Sequence, residues 1–282
     1  MFYIADSQID QLLSDDIQHG DLTTRALGIG QHPGNMVFIR RQSGRISGLT
    51  VASRLLTKLS LNVTLNAQDG HDALAGDVLL TATGSAAALH QGWKVTQNVL
   101  EWSCGVAGYM AEMVEAAKKI NPAIRIACTR KSIPGTKFLA IPAVIDGGGI
   151  IHRGGTAETV LMFANHRHFF AQSDNWHHQV SLLRTDAPEK KIIVEADTME
   201  EALLALQAQP DILQLDKFSP PQITELIALS HQIAPHCLIS VAGGVNRDNI
   251  QQYAETGVEL IVTSAPYYAI PADIKVVLQP TN

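Results

Sequence analysis

Charged residues recur directly after short apolar runs in the second half of this sequence. RIACT (Arg125 to Thr129) is followed by Arg130 and Lys131, and the triplet Gly147-Gly148-Gly149 by His152 and Arg153. KIIV leads into Glu195, DILQL into Asp216, and CLISVA into Gly243-Gly244-Val245-Asn246. Reactive groups sit in such places in parallel α/β proteins, because strand interiors pack while the loops after them converge on one face. From Arg130 to Arg167 there are five Lys or Arg against two acids, Asp146 and Glu158, on a chain whose formal net charge is −6. That local excess marks a candidate anion pocket. Paired glycines followed by Asn246 as a helix N-cap would offer backbone N–H groups to a phosphate. Beside such a phosphate, Glu195 and Asp216 would serve as ligands for Mg²⁺ or ribose hydroxyls. Each feature also has an ordinary reading: a solvated charged face, a tight turn, or acids at helix starts.

The other candidates point less sharply. Eleven histidines, among them His166, His168 and the pair His177-His178, raise a metal hypothesis, but no Cys/His spacing matches a closed zinc site. His177 and His178, beside Asn175 and Trp176, read as a solvated loop. Cys104 lies among small residues of a helix, which suggests packing rather than nucleophilic work. The three cysteines are odd in number and widely spaced, and Cys128 and Cys237 lie in strand-like runs, so all are read as reduced, buried and small.

The elements needed to position these groups follow from pattern. With 282 residues, 46% of them hydrophobic, the chain can bury one large core or two modest ones. A helix is expected over residues 1 to about 20, then a turn at His19 to Thr24. Short β-type runs (MVFIR, NVTLNA, DVLLTATG) between Asn35 and Ala88 suit a small α+β domain. Trp93 to Ile120 reads as a helix interrupted at Cys104 to Gly108. After Pro122, RIACT, TVLMF, KIIVEA, DILQLD, CLISVA and ELIVTS alternate with amphipathic segments, which predicts a parallel barrel or a doubly wound sheet. The acidic balance disfavours nucleic acid and anionic membranes as partners, no apolar run reaches spanning length, and the N-terminus lacks a signal-peptide pattern. Cytoplasm and small-molecule substrates are expected.

Several motifs, in this order and spacing, resemble the quinolinate phosphoribosyltransferase (nicotinate-nucleotide pyrophosphorylase) family over nearly the whole chain. They are TRKSIPG (Thr129 to Gly135), GGGIIHR (Gly147 to Arg153), Asn165-His166, Val194-Glu195, Leu215-Asp216 and the run from Ala242 to Gly257. Three further stretches, Trp93 to Asn98, Leu213 to Phe218 and Val262 to Ala269, look more like its ModD branch, named for an association with molybdenum transport genes. The resemblance implies a type II phosphoribosyltransferase fold: an N-terminal α/β sandwich domain over 1–109, rejoined by 268–282, and an open α/β barrel over 110–267 carrying the active site. It also implies a homodimer with active sites shared between subunits, or a larger assembly of dimers. The implied reaction moves phosphoribose from phosphoribosyl pyrophosphate (PRPP) to a ring nitrogen, with Mg²⁺ and release of pyrophosphate.

Carried over position by position, Arg130, His152 and Arg153 resemble carboxylate and pyrophosphate contacts, and Lys131 a pyrophosphate contact. Thr129 belongs to the same strand end. Glu195 and Asp216 resemble ribose and Mg²⁺ ligands, with Lys131, Glu195 and Asp216 as the catalytic set. Gly243, Gly244, Ser264 and Ala265 resemble the 5′-phosphate cradle. Two departures bear on the acceptor. Phe163 and Ala164 stand where the quinolinate enzymes have Lys and Asp, and Trp93-Lys94 replaces a Glu-Arg pair, keeping a cation but not a planar fork. The acceptor is therefore expected to be less anionic than quinolinate, a monocarboxylate or a neutral heteroaromatic ring. A true quinolinate enzyme and a non-catalytic anion-binding protein of molybdate metabolism are the alternatives.

Overall fold

The computed structural model describes residues 2–281. Along the chain run α1 (Asp6–Ile17), α2 (Leu22–Leu27), β1 (Pro33–Arg40), β2 (Gly44–Arg45), α3 (Leu49–Lys58), β3 (Asn62–Leu65), β4 (Asp72–Ala73), β5 (Val78–Ser85) and α4 (Ala86–Lys118). Then follow β6 (Arg125–Cys128), α5 (Lys137–Asp146), β7 (Ile150–Ile151), β8 (Val160–Met162), α6 (Ala164–Arg167), α7 (Trp176–Asp186) and β9 (Ile192–Ala196). The chain ends with α8 (Met199–Gln207), β10 (Ile212–Asp216), α9 (Pro220–Ile233), β11 (Leu238–Ala242), α10 (Ile250–Ala254), β12 (Leu260–Thr263), a 3-10 turn (Ala265–Tyr268) and β13 (Ile274–Pro280). Two compact units emerge, one of residues 1–111, 132–148 and 266–282, the other of 112–131 and 149–265. None of the described helices is long and apolar enough to cross a membrane.

In the first unit, β1 alternates by the period of two that a pleated strand imposes: Met36 and Phe38 are fully buried while Val37 and Ile39 are half-buried. It pairs antiparallel with β5 on one side and β13 on the other, giving the order β13-β1-β5-β3. Helix α3 carries Leu49, Ala52 and Leu56 at helical spacing, and they join Met36, Phe38 and Leu80 in one core cluster. Each such side chain contributes roughly 1.5–3 kcal/mol by leaving water.

Two expectations fail here for identifiable reasons. His19 to Thr24 is only partly a turn, since the Asp21 side chain accepts from the Thr24 N–H at 2.6 Å and starts α2. Helix α4 is continuous from Ala86 to Lys118, with no break at Cys104 to Gly108. The small residues serve close packing instead: a Cβ on Gly105 would stand 2.6 Å from the Ile270 carbonyl oxygen, and Cys104, Val106 and Ala107 are buried.

The second unit holds a seven-stranded parallel sheet in the order β7-β6-β12-β11-β10-β9-β8. Its strands are largely apolar on both faces, as in Ile192 to Val194 and Ile261-Val262, which fits a sheet covered by helices. Strand β6, first in the unit, pairs with both β7 and the last strand, β12. The chain therefore winds around an axis, leaving a gap between β7 and β8 rather than reversing at a switch point. That order decides for an open α/β barrel over a doubly wound sheet. Helices α8 and α9 start where the Thr198 side chain accepts from Glu201 N–H and where Ser219 and Gln222 form a capping box. Three residues differ from expectation. His177 and His178 lie in the first turn of α7, not a loop, and Cys237 precedes β11 and is half-buried.

Candidate active site

Loops after the parallel strands enclose a cavity of about 450 Å³ at one end of the barrel. Beyond β6 come Thr129, Arg130 and Lys131, and beyond β7 His152 and Arg153. From β9 and β10 come Glu195 and Asp216, and Phe163 follows β8. Gly243 and Gly244 after β11, with Ser264 and Ala265 after β12, complete the set. Lys94 is not among these lining residues. It lies on α4 in the first unit, its Nζ 2.9 Å from Gln97 Oε1 and 4.3 Å from the centre of the Trp93 ring.

Side-chain hydroxyls hold the loops in place. The Thr129 hydroxyl accepts from Lys131 N–H at 3.0 Å, and the Thr129 N–H donates to the Thr263 carbonyl at 2.9 Å. The buried Thr263 hydroxyl donates to the Val245 carbonyl at 2.6 Å and accepts from Ala265 N–H at 3.0 Å, tying the loops after β11 and β12 together. Asn246 does not cap a helix. Its side chain accepts from Asp248 N–H at 2.9 Å, and the helix starts later, after Asn249. Gly243 and Gly244 instead take left-handed φ values of 85° and 78°, a two-glycine turn close to the end of β10.

The cationic wall is crowded. Arg153, 8% exposed, has its pKa lowered by burial and by the charge of Arg130, with Glu195 opposing. Its guanidinium stands 5.6 Å from the centre of the Phe163 ring, which is itself stacked on His166 at 5.7 Å. Phe163 therefore faces the cavity instead of the barrel core. Arg167 is held elsewhere: it pairs with Glu201 at 2.7 Å and lies 4.0 Å over Trp176, only 5% exposed. It does not take the place of the missing lysine.

Opposite lie the carboxylates. Gln214, beside Glu195 in register, donates to Glu195 Oε2 at 2.6 Å. Burial first, and then the charges of Asp216 and Asp197, raise the Glu195 pKa against that bond. A proton, a hydroxyl donor or a cation would each relieve this strain. Among the described residues no three His, Cys, Asp or Glu side chains gather as a metal cage. Two carboxylates at adjacent strand ends still suit a hard cation whose other ligands are substrate oxygens. His152 Nε2 and Gln214 Oε1 are buried without hydrogen-bond partners. Lys217 and Gln214 were not anticipated. For Gln214 the signal was present, an amide inside the apolar run DILQLD; Lys217 had none beyond its place after Asp216.

His152 carries a pH consequence. Burial, then the Arg153 charge, pushes its pKa from 6.5 down to about 4, so the ring is neutral at neutral pH. Because the unfolded imidazole protonates more readily, its contribution to stability is complete above about pH 6.5 and is lost as pH falls toward 4. Denaturant titrations between pH 7 and 4 are expected to show a shallower acid loss for His152→Gln than for the wild type. Parallel slopes would disprove the assignment.

Residues 106–277 match the family described as "Quinolinate phosphoribosyl transferase, C-terminal domain", and residues 21–104 match its N-terminal domain. The chain belongs to the quinolinate phosphoribosyl transferase family. It is 54% identical over 280 residues to "Putative pyrophosphorylase ModD" of Escherichia coli O6:H1, with 99% of each chain covered. It is 48% identical over 279 residues to the protein of that name in Pasteurella multocida, again with 99% of each covered. These identities bear out the resemblance to the ModD branch. A solved structure of the nicotinate-nucleotide pyrophosphorylase from Ehrlichia chaffeensis superposes with a TM-score of 0.90 at 21% identity, covering 99% of this chain and 100% of that one. The type II phosphoribosyltransferase fold expected from the motifs is the fold found.

Proposed function

We propose that this family member transfers phosphoribose from PRPP to a ring nitrogen of a heteroaromatic acceptor, releasing pyrophosphate. The observation that carries the reading is the convergence, in one cavity, of a cationic wall, a carboxylate wall and a two-glycine turn. The acceptor nitrogen's lone pair forms the bond to the anomeric carbon as the carbon–oxygen bond to the diphosphate breaks, and the bonding electrons leave with pyrophosphate. A positive charge develops on the ribose and then rests on the acceptor ring. Glu195 and Asp216 stabilise that charge and hold the ribose hydroxyls, while Arg130, Lys131 and Arg153 receive the departing polyanion. Neutral His152 supplies a hydrogen bond to the acceptor or diphosphate. Glu195 and Asp216 would also hold Mg²⁺, which supplies charge neutralisation of the diphosphate when bound. Gly243, Gly244, Ser264 and Ala265 cradle the 5′-phosphate.

Calorimetry with PRPP and Mg²⁺ is expected to give saturable heat, and PRPP at 100 times its Kd is expected to stabilise the fold by about 2.7 kcal/mol. A screen of heteroaromatic acceptors read by pyrophosphate release then finds the second substrate. No heat and no thermal shift would remove the transferase reading.

A further inference from the structure

Lys217 lines the cavity beside Asp216 in a backbone conformation, φ 59°, that residues with side chains seldom adopt. The bend is fixed by the Lys217 N–H, which donates to the Ala242 carbonyl at 2.8 Å. It lays the stem of the side chain against the two-glycine turn: a Cβ on Gly243 would stand 2.7 Å from Lys217 Cγ. Over Gly244 the space is open, with nothing within 4 Å of where its Cβ would be. The ammonium sits 3.1 Å from Asp216 Oδ2, yet the lysine side chain is 79% exposed. An ion pair that open to water is weak and easily exchanged. A phosphate entering the turn would otherwise meet Glu195, Asp216 and Asp197, whose charges all act on Lys217.

We propose that Lys217 is an exchangeable counter-ion, neutralising Asp216 in the free protein and swinging onto the sugar phosphate at Gly243-Gly244 when substrate binds. The inference rests on the phosphoribosyltransferase reading and adds to it a specificity-determining residue. The swing frees Asp216 for ribose hydroxyls as the phosphate arrives. Strained backbone at such a place is what a positioned functional group requires.

The test is calorimetry with two probes, ribose 5-phosphate and nicotinate, on the wild type, Lys217→Gly and Lys217→Arg. Glycine suits the left-handed φ, so the melting temperature of that variant is expected to be no lower than that of the wild type. Its affinity for ribose 5-phosphate is expected to fall at least about tenfold, with nicotinate unchanged and arginine restoring most of the loss. Equal ribose 5-phosphate affinity in wild type and Lys217→Gly overturns the role of Lys217 alone. Loss confined to nicotinate also overturns it, placing the ammonium on the acceptor. No ribose 5-phosphate binding by the wild type overturns this inference together with the reading beneath it.

Discussion

Gly243→Ala is expected to abolish measurable PRPP binding and to lower the denaturation midpoint well below that of Gly244→Ala, whose methyl would crowd only the 5′-phosphate. Both glycines have left-handed φ, so an alanine at either costs about 1–2 kcal/mol of backbone strain. Their surroundings differ. At Gly243 the new methyl would lie 2.5 Å from Asp216 Oδ1, 2.7 Å from Lys217 Cγ and 3.1 Å from the Lys217 backbone nitrogen. The Lys217 N–H is pinned to the Ala242 carbonyl, so Asp216 and the Lys217 stem have to turn away or strands β10 and β11 have to part. At Gly244 no protein atom is met, and the methyl would enter the room given to the 5′-phosphate. Moving a carboxylate that would hold the ribose by even 1 Å costs about 100-fold in rate as well. Titration of both variants with PRPP and Mg²⁺, beside their denaturation midpoints, separates the shared strain from the contact. Equal denaturation midpoints for the two would show that Asp216 and Lys217 make room for the methyl without cost.

Phe163→Lys is expected to raise affinity for quinolinate while lowering the stability of the unliganded protein. In the native cavity the ring lines the wall beside Arg153 and His166, and an aromatic acceptor that displaces the Arg153 guanidinium can stack on it. A lysine there meets Arg153, whose pKa is already depressed by burial and by Arg130. Like charge in that position destabilises the empty site, and a second carboxylate relieves it. Charge pairs in buried sites are worth roughly 2–5 kcal/mol when one partner is deleted, so a gain of about 30-fold or more for quinolinate is the expected scale. Calorimetry with quinolinate and nicotinate measures it. Efficient turnover of quinolinate by the wild type would contradict this account of the pocket, as would a variant that gains nothing.

How far the sequence alone led is clear from particular residues. The barrel strands were visible because a strand buried on both faces is a continuous apolar run, and the groups after them were candidates because the loops after parallel strands converge on one face. What it concealed was mainly direction and closure. Apolar runs alone did not distinguish a barrel from an open sheet, since the pairing of β6 with β12 joins residues more than a hundred positions apart. Cys104 to Gly108 looked like a helix break because glycine lowers helix propensity, whereas packing against the backbone near Ile270 decides the matter. Asn246 looked like a cap because a cap and an Asx turn use the same side chain.

The gap in the barrel has a mechanical meaning. Strands β7 and β8 share no backbone hydrogen bonds, so this rim of the sheet can spread where a closed ring could not. The gap also divides the chemistry: Arg130, Lys131, His152 and Arg153 follow the strands on one side, and Phe163, Glu195 and Asp216 those on the other. Arg153 over Phe163 is a contact that spans it. A substrate with an anionic end and a hydroxyl-bearing sugar would tie the two halves by bonding to each. Occupancy then works as a keystone, so that the empty protein is the looser form and the loaded one supplies the seam that its own strands leave open.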